Sequence, residues 1–147
     1  MKKKNKKGFT LLETSIALAL MAIVFSMSIT AILTVSQTQK RNFDTKYFVL
    51  ITNDYLECYK LGGKDNFEQN VNIVLGVDLA TDGVKNADGY TLSYGNDYNL
   101  IAYNEESPYQ LILTLSQKGF FAQVIGKTGK IAYELPAYYL SRFDMGG

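Results

Sequence analysis

Residues 14–39 form an uninterrupted run of 26 residues without a charged side chain. As a helix that run would measure roughly 39 Å at about 1.5 Å per residue. A bilayer core asks for about 20 apolar residues. The most apolar part, Ile16 to Val35, places a single membrane span at about residues 14–35. Five lysines (Lys2, Lys3, Lys4, Lys6, Lys7) precede it. Lysine-rich flanks stay cytoplasmic, so the chain beyond the span is expected to face outward. One residue disturbs this simple picture. Glu13 stands alone at the mouth of the run, and an ionised carboxylate is among the groups least tolerated by hydrocarbon.

The net charge of +1 hides an asymmetry. Residues 1–8 carry +5, residues 9–61 are balanced, and residues 62–147 carry −4. These read as a basic tip, a neutral rod and an acidic head. The chain length gives room for one domain of ordinary size. Cys58 is the only cysteine, so no intrachain disulfide can form. With no second cysteine and no histidine, zinc and iron–sulfur frameworks are removed, and the commonest general base is missing. With no paired-carboxylate motif and no cofactor fingerprint, the expectation is a protein without catalytic residues, cofactor or metal.

Three fates suit a basic start followed by an apolar run. A secretory signal peptide needs a short apolar region and a small-x-small cleavage site after it. This run is too long, no A-x-A follows it, and Ser26-Met27-Ser28 lies inside it. A lipoprotein would need a cysteine near the end of the run. An uncleaved anchor carrying an extracytoplasmic binding domain survives, but it leaves Glu13 without a role.

The third fate rests on the stretch Lys7-Gly8-Phe9-Thr10-Leu11-Leu12-Glu13. A basic leader ending in glycine, then phenylalanine, three mostly apolar residues, an acid and an apolar helix resembles the N-terminal signal of type IV prepilins and pseudopilins. The resemblance covers about the first 40 residues. It implies cleavage between Gly8 and Phe9 by a membrane-embedded prepilin peptidase, which also methylates the new N-terminal Phe9. Gly8 suits such a site, because a residue without a side chain lets the backbone extend into a protease cleft. The resemblance also gives Glu13 a role in assembly. Cleavage creates an α-amine at Phe9, four residues and one helical turn from Glu13. A carboxylate that is costly alone in lipid is tolerable when paired, with its own amine or with a neighbouring subunit's. The bland reading is that Glu13 favours the dipole of the first helical turn.

The implied partners are the peptidase, other pilin or pseudopilin subunits, a membrane platform protein driven by cytoplasmic ATPases, and the bilayer before assembly. The implied location is a single-pass protein of the cell membrane, then a surface filament. The machine would be a type IV pilus, a competence pseudopilus for DNA uptake or a type II secretion pseudopilus. The span is sided: Ser15, Ala19, Ala22, Ser26, Thr30 and Thr34 form one stripe, and Leu12, Ile16, Leu20, Ile23 and Met27 another. Small stripes let helices approach closely. Many major pilins carry Pro or Gly in this helix. Residues 9–61 have neither, which leans toward a pseudopilin or minor pilin.

Helical spacing continues through Phe43, Tyr47, Ile51, Tyr55 and Cys58, and Gly62-Gly63 provides a stop. One helix over residues 9–61 would be roughly 80 Å long if unbroken. Cys58 reads as a small buried hydrophobe rather than a reactive thiol. Beyond Gly63 short Tyr-, Val- and Ile-rich runs alternate with turn residues. The expected strands are Val71–Leu75, Tyr90–Tyr94, Tyr98–Tyr103, Tyr109–Leu115, Phe120–Ile125 and Lys130–Leu135, with residues 62–89 otherwise loop-like and Pro136 ending the last strand. The fold class is α+β: a long N-terminal transmembrane or filament helix with a small antiparallel sheet as its head. The divisions are a leader at 1–8, the helix at 9–61 and the head at 62–147.

Two motifs are set aside. Gly126-Lys127-Thr128-Gly129-Lys130 lacks the upstream glycine of a phosphate loop, since Phe121 stands there, and it reads as a hairpin turn. The acids Asp78, Asp82, Asp88, Asp97, Glu105 and Glu106 lack the spacing of a calcium loop and read as a solvated face. Direct DNA binding is not expected of a head with net charge −4, despite Lys118, Lys127, Lys130 and Arg142.

Overall fold

The computed structural model describes residue 8 and residues 10–127 and 129–139, with side chains up to residue 135. The chain divides into two compact units, residues 1–40 and 41–147. Helix α1 runs from Leu11 to Gly62. It is long and apolar enough to cross a membrane, with a mean hydropathy of 2.5 over its most apolar window. Residues 10–43 are all exposed, so the small and bulky stripes of the span are equally uncovered. Its hydroxyls turn inward on the helix itself. Ser28 donates to the Val24 carbonyl, Thr30 to Ser26, Thr34 to Thr30 and Thr38 to Thr34, at 2.8–2.9 Å. Such bonds satisfy a polar side chain without a partner helix.

From residue 41 onward α1 belongs to the head. Its buried positions are Phe48, Thr52, Tyr55, Leu56, Cys58 and Tyr59. This is the expected amphipathic stripe, turned slightly around the helix. Tyr55 and Cys58 are inside as read from the sequence, but Phe43 and Tyr47 remain 58 % and 45 % exposed. Phe48, Thr52, Tyr55 and Tyr59 keep the 4-3-4 spacing that faces a single sheet. The helix stops where glycine allows a left-handed turn: Gly63 has φ of 67°, and its N–H donates to the Tyr59 carbonyl at 2.7 Å.

The segment after Gly63 corrects the sequence reading. Val71–Leu75 is helical, not a strand; it is the second half of α2, Phe67–Leu75. Phe67 and Val71, one turn apart, are both fully buried. Gly76 closes α2 in the left-handed conformation, its N–H donating to Asn72 at 3.0 Å. A five-residue apolar run cannot by itself distinguish the two periodicities. Residues 62–89 are likewise no loop. They hold α2, the short α3 (Leu79–Asp82), capped by Asp78, and the first strand, β1 (Gly83–Asn86).

The sheet is antiparallel throughout. The remaining strands are β2 (Gly89–Tyr94), β3 (Leu100–Ile101), β4 (Tyr109–Leu115), β5 (Gly119–Gly126) and β6 (Ile131–Tyr139). Their order is β1-β2-β4-β5-β6, with β3 also paired to β2 beyond the end of β1. Alternation is clear in β4, where Tyr109, Leu111, Leu113 and Leu115 are buried, and in β5, where Phe120, Ala122 and Val124 are. These side chains and the buried face of α1 form one core.

Two strand boundaries differ from expectation. The predicted Tyr98–Tyr103 strand shrinks to Leu100–Ile101, because Tyr98 has φ of 60° and cannot continue a ladder. Pro136 does not end the last strand. β6 continues to Tyr139, pairing Leu135 with Ala122 and Tyr138 with Phe120. Two residues of β6, Pro136 and Ala137, thus oppose the single Phe121. A bulge on a strand at the end of the sheet order is where a proline, lacking an N–H, fits.

Candidate functional site

The sequence singled out Gly8, Phe9 and Glu13. Phe9, and with it the leader lysines, lies outside the described residues. Gly8 is exposed and not helical. A side chain built there would meet nothing within 4 Å among the described residues. The described residues therefore give no steric reason for a glycine at this position.

Glu13 stands in the first turn of α1, with its carboxylate already engaged. Its Oε2 accepts a hydrogen bond from the Thr10 backbone N–H at 3.0 Å, and the Thr10 Oγ1 accepts one from the Glu13 backbone N–H at 3.3 Å. This reciprocal pair is a capping box, in which a Ser or Thr before the helix and a Glu three residues later satisfy each other's exposed donors. Thr10 thereby fixes the start of α1 and leaves Gly8 outside it. Thr10 was missed in the sequence reading. The pattern Thr-x-x-Glu ahead of an apolar run was its available signal. Thr14 and Ser15 add further bonds to the Leu11 carbonyl, at 2.9 and 2.8 Å. Glu13 is exposed, as is every residue of this turn.

A second polar cluster lies within the head. The Asp44 Oδ1 accepts from the Tyr98 hydroxyl at 2.6 Å and from the Tyr109 hydroxyl at 2.8 Å. Tyr98 stacks on Tyr47, with ring centroids 4.4 Å apart and planes 10° from parallel, and on Tyr109 at 5.8 Å. Burial, then the Asp44 carboxylate, pushes the Tyr98 phenol up to about 12, and the same causes raise that of Tyr109. Sequence reading assigned Asp44 only to a charge balance, because its partners are 54 and 65 residues away.

Other groups in the head have structural partners. The Tyr55 and Tyr94 hydroxyls meet at 3.0 Å in the core, where burial raises both phenols, Tyr55 to about 12. Tyr90 donates to Glu68 at 2.9 Å. Burial, with Asp54 and Glu57 nearby, raises the Cys58 thiol, and the residue is fully buried. The Gly126–Gly129 stretch closes the β5–β6 hairpin, with the Gly126 N–H donating to Lys130 and the Gly129 N–H to Gly126. Among the described residues, no group of three or more His, Cys, Asp or Glu side chains is placed to hold a metal ion.

No match was found among curated proteins or among solved structures. Residues 3–29, which contain Gly8, Phe9, Thr10 and Glu13, match the model of the prokaryotic N-terminal methylation motif. The chain thus carries the type IV prepilin cleavage and methylation signal, at the start of an α+β layout of the pilin kind: one long apolar helix and a small antiparallel sheet.

Proposed function

We propose that this protein is a structural subunit, a pseudopilin or minor pilin, of a type IV filament system. The observation that carries the reading is the methylation motif over residues 3–29, which runs into the charge-free stretch 14–39 of a 52-residue helix. In this reading a prepilin peptidase cuts between Gly8 and Phe9 and methylates Phe9. The bilayer holds the span until the subunit is drawn into a filament with other pilin-like subunits, on a membrane platform protein. The head faces away from the cytoplasm, then lies on the filament. The chain is the substrate of an enzyme and performs no catalysis of its own. The absence of Pro and Gly from residues 9–61, the single cysteine and the small head favour a pseudopilin or minor subunit over a major one. The candidate machines are a pilus, a competence pseudopilus and a secretion pseudopilus.

Within this reading Glu13 is a latent half of a pair. Its carboxylate is held by Thr10 until cleavage creates the Phe9 amine, which offers a full positive charge in place of an amide N–H. The cap bond already has one charged partner; the amine makes it a pair of opposite charges, so Coulomb attraction adds to the hydrogen bond. Mass spectrometry of the mature chain tests the proposal. An N-methylated Phe9 terminus is expected, together with co-purification of other pilin-like subunits. A mature chain that still carries Lys2–Lys7 would overturn it in favour of an uncleaved anchor with a binding domain.

A further inference from the structure

The loop between β2 and β3, residues 95–99, combines backbone strain with an unusually dense set of restraints. Tyr98 is the only described non-glycine residue with a positive φ. An aromatic residue in the left-handed region is an outlier that persists only when its surroundings over-determine it. Here they do so at three points. The turn closes on itself, with the Gly95 N–H donating to the Asn99 carbonyl at 2.9 Å and the Tyr98 N–H to the Gly95 carbonyl at 3.1 Å. The Tyr98 ring lies between those of Tyr47 and Tyr109. Its hydroxyl ends on Asp44, which takes the Tyr109 hydroxyl on the same oxygen. Beneath it lies Phe48, fully buried, with its ring edge-on to Tyr98 at 5.7 Å and close to Tyr94 and Tyr109. Tyr98 is itself only half-buried. Part of what covers Phe48 is thus a strained residue on a short surface loop.

We infer that residues 95–99 form a strap, latched by the Asp44 carboxylate over the Phe48 aromatic recess, that opens as a unit separate from the rest of the sheet. Closing it requires the left-handed Tyr98, and the two-hydroxyl bond to Asp44 holds that conformation. Without the latch, Tyr98 relaxes to an ordinary backbone conformation and lifts its ring, and Phe48 meets solvent. The latch joins α1 to both β4 and the strap, so the helix segment around Asp44 loosens with it.

Amide hydrogen exchange on the full chain in detergent micelles tests this. Tyr98→Phe removes one hydroxyl and keeps the ring, and Asp44→Ala removes the shared acceptor. Both are expected to speed exchange at Tyr98–Ile101 and at Phe48–Thr52 about tenfold or more, the loss typical of a hydrogen bond to a charged group. Exchange in β4 and β5 should stay as in the parent chain. Tyr90→Phe, which removes a tyrosine–carboxylate bond elsewhere on the sheet, should leave the strap unchanged. Two outcomes would overturn the inference: no change at the strap in Tyr98→Phe, or an equal rise across the whole head in that variant. Tyr98→Phe decides the matter even if Asp44→Ala does not fold.

Discussion

Glu13 caps α1 in the structure and pairs with an amine in the proposed function, and a single substitution separates the two. Glutamine keeps a carbonyl oxygen for the Thr10 N–H, so the capping box of the structure survives, but it cannot offer a charge to an amine. Under the proposed function, Glu13→Gln is expected to be cleaved at the parent rate and to fail to enter filaments. Normal filament yield from that variant would mean that the cap alone matters. Gly8 supplies the complementary case. Because a Cβ there meets open space among the described residues, Gly8→Ala should leave the thermal stability of the head unchanged while cleavage drops severely. Undiminished processing of that variant would remove the reason offered for the glycine. Cys58 behaves as the sequence suggested, as a small core residue. Its buried, raised thiol should react with an alkylating reagent only when denaturant unfolds the head; rapid labelling of the native chain would contradict the packing around it. The motif residues were legible because chemistry fixed their spacing in sequence. Asp44 was not, because its role is created by two tyrosines that the chain brings back only after many residues.

Secondary structure was most legible where one face is buried and the other is not. β4 and β5 alternate cleanly, and their predicted bounds differ from the observed ones by at most one residue. Legibility failed where local signals were ambiguous. Val71–Leu75 has the composition of a strand, and only the burial of Phe67 one turn before Val71 settles it as helix. Pro136 reads as a terminator because a proline interrupts a ladder, but the β6 bulge absorbs it. Tyr98 looks like a strand residue, and its tertiary contacts override that preference. The packing of these elements makes firm demands. A side chain at Gly89 would run into the Leu113 carbonyl of the neighbouring strand. Gly89→Ala is therefore expected to destabilise the head by about 1–3 kcal/mol or more, measured by urea unfolding. Phe48→Ala, which empties a fully buried aromatic site, should lose about 3–5 kcal/mol. A loss under about 1 kcal/mol for Phe48→Ala would place that ring outside the core.

At the scale of the whole molecule, tyrosine sets the head's response to pH. Folding holds Tyr55, Tyr90 and Tyr98 at about 12, chiefly through burial, with Glu68 and Asp44 adding to the effect for the last two. The unfolded phenol titrates near 10. The folded values are the higher ones, so these groups contribute stability that is fully present below about pH 10 and is lost as the pH rises toward 12. An alkaline titration should show phenolate absorbance and loss of sheet signal rising together across that window. Tyrosines that all ionised near 10 while the sheet remained intact would contradict the picture of a tyrosine-lined core. The other unit has a different character. Ser28, Thr30, Thr34 and Thr38 spend their hydroxyls on carbonyls of their own helix. These four hydroxyls bring no unmet polar demand to the rod's surroundings. These four positions can exchange lipid for protein neighbours without trading a hydrogen bond. Fit there is then a matter of girth and contour, a property that suits a helix to unlike neighbours as well as to copies of itself.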